Sequence, residues 1–192
     1  MPDVFDPDFA AAVVTQRVAD AYFPHCRRGP PATRPRPPLS LGSRFAWQTR
    51  EAVEACARWC DVVSFNRYRR SIAADDEWAR FHALGKPALI GEFHFGSTDR
   101  GLFWEGLVGV GAENERGPAY ARYLRAVADN PDFVGAHWFQ YVDEPLTGRT
   151  LDGENGHVGF VSVADLPYDG LAAAARDVNH AVFDELQGQA KE

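Results

Sequence analysis

An α/β fold built on a parallel sheet is predicted by three features of the sequence. The apolar run Pro87-Ala88-Leu89-Ile90-Gly91-Glu92 reads as a strand buried on both faces, the environment of a parallel sheet. Strand-like and helix-like segments alternate, the pattern of βαβ units. Two loops are long, and both follow strands, on the side of a parallel sheet where ligands bind.

Taken in order, 8–27 carries apolar residues at Phe9, Val13, Val14, Val18, Ala21 and Tyr22, a helical spacing. The proline-rich stretch 27–38 can be neither helix nor ladder strand, and reads as a stiff exposed connection. A short strand is predicted over 39–45, then a helix over 49–58 with Val53, Cys56 and Ala57 inward. A strand over 61–66 and a helix over 75–84 precede the Glu92 strand. A glycine-rich loop, 96–117, leads to a helix over 118–129 with Tyr120, Tyr123, Leu124 and Val127 on one side. Phe133-Val134-Gly135-Ala136-His137-Trp138 is the fourth strand, and a second long loop ends at a helix over 168–186.

With 192 residues, 45% hydrophobic and 12% aromatic, the chain can bury a core, so disorder is not expected. A net charge of −7 speaks against nucleic acid as a partner, which requires a basic face. No stretch approaches the roughly 20 apolar residues of a membrane span. Residues 1–6 have neither the basic region nor the apolar core of a secretory signal, so the expected alternatives are a cytoplasmic chain or a start further upstream. Cys26, Cys56 and Cys60 are an odd set without C-x-x-C spacing, read as reduced thiols rather than a metal site. Asp3, Asp6 and Asp8 lack the glycine and distal glutamate of a calcium loop.

The predicted strand exits carry Arg44; Asn66 and Tyr68; Glu92 and His94; and His137, Trp138 and Gln140. A carboxylate at the end of a buried strand is costly to desolvate unless it faces a polar cleft. The whole set suits a sugar: apolar ring faces stack on tryptophan, and hydroxyls need many hydrogen-bonding partners. Retaining glycosidases use two carboxyls about 5–5.5 Å apart, one as nucleophile and one as acid/base. Glu92 fits the nucleophile, with Tyr68 donating the hydrogen bond that orients it.

The segments Leu41-Gly42-Ser43-Arg44-Phe45-Ala46, Asp61-Val62-Val63-Ser64-Phe65-Asn66-Arg67-Tyr68 and Gly91-Glu92-Phe93-His94-Phe95-Gly96 resemble successive strand-end motifs of the family-50 β-agarases. So do Val134-Gly135-Ala136-His137-Trp138-Phe139-Gln140-Tyr141 and the following Gly148-Arg149, Asp152-Gly153-Glu154-Asn155 and Gly159-Phe160. The resemblance runs from about Ala19 to Asn179. It implies a (β/α)8 TIM barrel, of which this chain holds about strands five to eight, and a retaining hydrolase of β-galactosidic bonds in agarose-type polysaccharide. In that family the acid/base is a Glu on strand four and the nucleophile a Glu on strand seven, which Glu92 matches. Asn66 and Tyr68 match the site-lining motif of strand six, and Trp138 matches the tryptophan at the floor of the sugar cleft. Arg44, His94, His137, Gln140, Asp143, Arg149 and Glu154 are implied as substrate-binding residues, and no cofactor or metal is implied.

The departure from the family is the acid/base. Only 38 residues precede Leu39, none of them Asn-Glu, and the one Asn-Glu, Asn114-Glu115, lies after Glu92. A full barrel needs about 250 residues. The expected organisation is therefore an N-terminal helix and connection over 1–38, the C-terminal half of a barrel over 39–187, and a polar tail over 188–192. Open sheet edges then favour self-association. Two other readings stay open: a non-catalytic carbohydrate-binding remnant, and a metal-dependent hydrolase using His94, His137 and His157.

Overall fold

Small and aromatic side chains at regular spacing build the first of two compact units into which the chain divides, 1–66 with 74–89. The computed structural model describes residues 7–27, 40–41, 49–72 and 76–189. In this unit α1 (Pro7–Arg27) packs against α2 (Arg50–Trp59), with Ala19 and Phe23 buried on α1 and Ala55, Cys56 and Ala57 on α2. Arg58 and Asp20 close the contact with an exposed ion pair at 2.7 Å. The two strands β1 (Ser40–Leu41) and β2 (Val62–Asn66) pair in parallel, Ser40 opposite Val62. α3 (Asp76–His82) sets Trp78 and Phe81 edge-on to Phe65 at 5.3 and 5.2 Å. Cys56 and Cys60 are buried, and neither is in a disulfide.

β3 (Ala88–Phe93) begins in this unit and ends in the second, and the strands follow in the order β1-β2-β3-β4. Val63 donates to Pro87 O at 3.0 Å within the first unit, and Arg67 to Glu92 O at 2.9 Å within the second. The two bonds advance together along both strands, as parallel pairing requires. The structure is thus a mixed α/β fold with a small parallel sheet.

The second unit, 67–73 with 90–192, holds α4 (Arg116–Ala128), β4 (Phe133–Trp138) and α5 (Asp169–Gln189). Tyr120, Tyr123 and Val127 recur on the inward face of α4, and Leu171, Ala175 and Val178 on that of α5. The helices approach closely because Gly117 has no side chain: a Cβ there would lie 2.7 Å from Gly170 O. Tyr123 stacks on Phe93 at 4.3 Å, and Phe95, Tyr120, Trp138 and Phe160 complete an aromatic core.

The long loops are pinned structures. Gly96 accepts from Val110 and donates to Val108 O, and His157 donates to Trp104 O, which ties one loop to the other. A 3₁₀ turn (Glu113–Glu115) leads into α4, which starts two residues before the predicted helix because Arg116 and Gly117 are drawn into the core. Among the described residues no helix is long and apolar enough to cross a membrane.

Candidate active site

The site lies within the second unit, where β3 ends. Side chains alternate along a strand, so Phe93 enters the aromatic core while Glu92 and His94 take the other direction. Tyr68 Oη donates to Glu92 Oε2 at 2.7 Å. Burial, and then the hydrogen bond to Glu92, push the Tyr68 phenol well above its ordinary pKa, so it holds its proton and is the donor.

His94 lies beside Tyr68, ring centroids 4.6 Å apart. Leu107 N–H donates to His94 Nε2 at 2.8 Å, which fixes the ring proton on Nδ1. Burial pulls the His94 pKa down to about 4, so the ring is neutral at physiological pH. The close approach of the loop requires a glycine at 106: φ is +75°, and a Cβ would lie 2.3 Å from His94 Nε2.

A ring and a guanidinium form the next wall. Phe139 meets Tyr68 edge-on at 6.4 Å and His94 at 6.2 Å, and the Arg149 guanidinium lies over the Phe139 ring at 5.3 Å. Arg149 grips Asp152 through Nε and Nη2, both at 2.7 Å, and also bonds Glu154. Arg149 and Glu154 lie close enough to Tyr68 that both charges act on its phenol. The structure therefore brings Tyr68, Glu92, His94, Arg149 and Glu154 together.

Other predicted site residues stand elsewhere. Trp138 lies in the aromatic core against Phe93, Tyr120 and Phe160, and its indole N–H is spent on Val158 O at 2.8 Å. The ring beside Tyr68 is that of Phe139 instead, because β4 turns successive side chains to opposite faces. Asp143, expected at the substrate, is a correction: it is buried, Oδ1 accepting from Gly159 N–H and Oδ2 from Tyr168. His137 is exposed on β4, Gln140 is half-buried just beyond it, and Asn66 is buried at the end of β2 in the first unit. Arg44 lies outside the described residues.

The three-histidine metal reading is overturned by the ring contacts. His157 is buried, with Nδ1 on Ser97 Oγ at 2.9 Å and Nε2 on Arg116 at 2.8 Å, so neither nitrogen is available. Among the described residues no group of three His, Cys, Asp or Glu side chains is placed to hold a metal ion.

The buried support for the site was missed in the sequence. Arg116 is fully buried and donates to Phe95 O at 2.8 Å, His157 Nε2 at 2.8 Å and Gly159 O at 2.6 Å. With Nε2 accepting, His157 Nδ1 donates to Ser97, whose hydroxyl donates to Asp99 at 2.7 Å. One cation thus holds the end of β3 against the loop that follows β4. A signal for it existed: Arg116 falls four residues before Tyr120 on the inward stripe of α4.

No family model matches the chain. Beta-agarase B of Vibrio sp. (strain JT0107) is 48% identical over 147 residues, and beta-agarase A of the same organism 47% over 152. Each alignment takes in 76% of this chain and 15% of the relative, so the chain spans about a seventh of the length of the curated relatives it matches. The crystal structure of an agarase, AgWH50C, superposes with a TM-score of 0.69 at 45% identity, over 72% of this chain and 20% of that one. The structure of an exo-beta-agarase does so with a TM-score of 0.68 at 48% identity, over 71% and 19%. Over about three quarters of its length, the chain is homologous to a segment of the family-50 β-agarases.

Proposed function

We propose that the chain carries the nucleophile half of a retaining glycoside hydrolase acting on β-galactosidic bonds of an agarose-type polysaccharide. The observation that carries this reading is the 2.7 Å hydrogen bond from a protonated Tyr68 to Glu92 at the end of a parallel strand. Held there, Glu92 attacks the anomeric carbon, the bond to the leaving oxygen breaks, and a glycosyl ester forms on the carboxylate. Water then cleaves the ester and restores Glu92. The neighbouring His94 stays neutral and adds no charge that would compete for the carboxylate. Arg149, Glu154, Gln140 and His137 remain the candidates for sugar contacts, with Phe139 as the ring surface.

The leaving oxygen needs a proton from a second carboxyl, and Asn114-Glu115 is exposed in the 3₁₀ turn before α4. Without that acid the reaction loses a factor of about 10²–10⁴. Agarose hydrolysis by these 192 residues alone is therefore expected to be weak, and Glu92→Gln to abolish what remains while sparing saccharide binding. Reducing-end release measured with both proteins checks this, and equal turnover by the two removes Glu92 as nucleophile. Binding by both without turnover by either favours the non-catalytic carbohydrate binder.

In this reading β1 to β4 are strands five to eight of a (β/α)8 barrel, whose C-terminal half is 39–187. The terminal strands β1 and β4 then present edges, and on β4 Val134 is exposed. The chain on its own is expected to self-associate. Gel filtration with light scattering checks it, and a monomer at every concentration with a sharply cooperative melt would remove the idea.

A further inference from the structure

Glu144 is a buried charge that neither the core nor the Tyr68–Glu92 pair explains. Its side chain is 1% exposed, in the loop after β4. Oε2 accepts from Gly156 N–H at 2.6 Å, while Oε1 has no hydrogen bond and faces Arg149 Nη1 across 3.5 Å. Burial pushes its pKa up, the Gly156 N–H acts against that, and the nearby Glu154 carboxylate adds to it. Keeping such a group is costly, and Gly156 N–H alone would be satisfied by any acceptor.

What Glu144 adds is the third carboxylate around one guanidinium. Asp152 takes Nε and Nη2 of Arg149, Glu154 also takes Nη2, and Glu144 faces Nη1. A guanidinium held on three sides cannot swing, and it lies on Phe139, which abuts Tyr68. We propose that Glu144 is a positioning residue for the Tyr68–Glu92 pair, acting through Arg149 and Phe139. The two groups it faces, Gly156 N–H and Arg149 Nη1, are both donors, and only a carboxylate has an acceptor oxygen for each. Glutamine has one, so Glu144→Gln keeps one of the two donors and releases the other.

The test is aromatic NMR on the whole chain, with Tyr68→Phe and Phe139→Leu assigning the two rings. In Glu144→Gln the Tyr68 and Phe139 signals move by more than a linewidth, while the Trp138 indole N–H, bonded to Val158 O, stays. Unmoved Tyr68 and Phe139 signals in the folded variant overturn the proposal. Arg149→Met moves the same signals, and the double variant adds nothing to it; additive shifts overturn the proposal as well. If Glu144→Gln does not fold, Arg149→Met alone decides, and an unmoved Tyr68 ring refutes the relay. A titration with agarotetraose separates this inference from the hydrolase reading, on which its meaning for sugar binding rests. Binding weakened roughly tenfold in Glu144→Gln supports both, as expected for a misplaced but intact site. A parent chain that binds no saccharide while the ring signals still move sinks the hydrolase reading and leaves the positioning role standing.

Discussion

Arg116→Met is expected to lower the stability of the chain by about 3–5 kcal/mol, a large part of what a domain of this size possesses. Methionine follows the path of the arginine stem but supplies none of its donors. Phe95 O, Gly159 O and His157 Nε2 then lose partners now held at 2.8, 2.6 and 2.8 Å in a region closed to water. Each buried acceptor left empty costs about 1–3 kcal/mol. Part of this is offset because the arginine itself is expensive to bury: desolvation pulls its pKa down to about 10. Stacking on Trp138 and Tyr168, at 5.8 and 5.2 Å, is lost as well. Urea denaturation measures the effect as a lower midpoint at unchanged slope. A loss below about 1 kcal/mol would mean that the three acceptors find other donors, and the cation would not be what joins β3 to the loop after β4.

The same arginine shows what can and cannot be read from the sequence. The strands ending at Asn66, Phe93 and Trp138 were legible because apolar runs bounded by turn residues leave few other folds. Glu92 and Tyr68 were legible for a different reason. A carboxylate and a phenol at neighbouring strand exits come together once the strands are parallel and adjacent, whatever the loops do. Arg116 and His157 are 41 residues apart, and their bond depends on how two loops fold over the sheet. A cation at the start of a helix reads as a surface residue unless its place on the buried stripe is weighed. Trp138 and Phe139 are one step apart along the chain and take opposite faces, so the ring that meets Tyr68 is that of Phe139. Asp143 and Glu144 were close to indistinguishable as neighbouring acids in a loop. Which of them ends in an internal hydrogen-bond pair and which faces Arg149 is decided by Tyr168 and Gly156.

Mild acid should destabilise the chain before its exposed carboxylates titrate. His94 has its pKa lowered from 6.5 to about 4, first by burial, and the buried His157 is lowered too, by burial and then by Arg116. Between those values the unfolded chain binds the proton and the folded chain does not. Stability from His94 is therefore complete above about pH 6.5 and lost as pH falls toward about 4. For a side chain only 2% exposed, the shift corresponds to about 3 kcal/mol, at up to about 1.4 kcal/mol per pH unit. His157 adds in the same direction. Glu144 opposes them, since its raised pKa means that protonation on acidification favours the folded state. The large His94 shift is expected to set the net slope, which is then downward with acid. Denaturant melts between about pH 7 and about pH 4 measure it, and His94→Gln, whose amide oxygen still accepts from Leu107 N–H, removes the His94 share. A stability profile that stays flat across that window, or a slope unchanged in His94→Gln, would show that the folded chain takes up the proton on His94 as readily as the unfolded chain does, with Nε2 giving up Leu107 N–H. The neutral wall beside Tyr68 and Glu92 would then be charged at the acid end of the range.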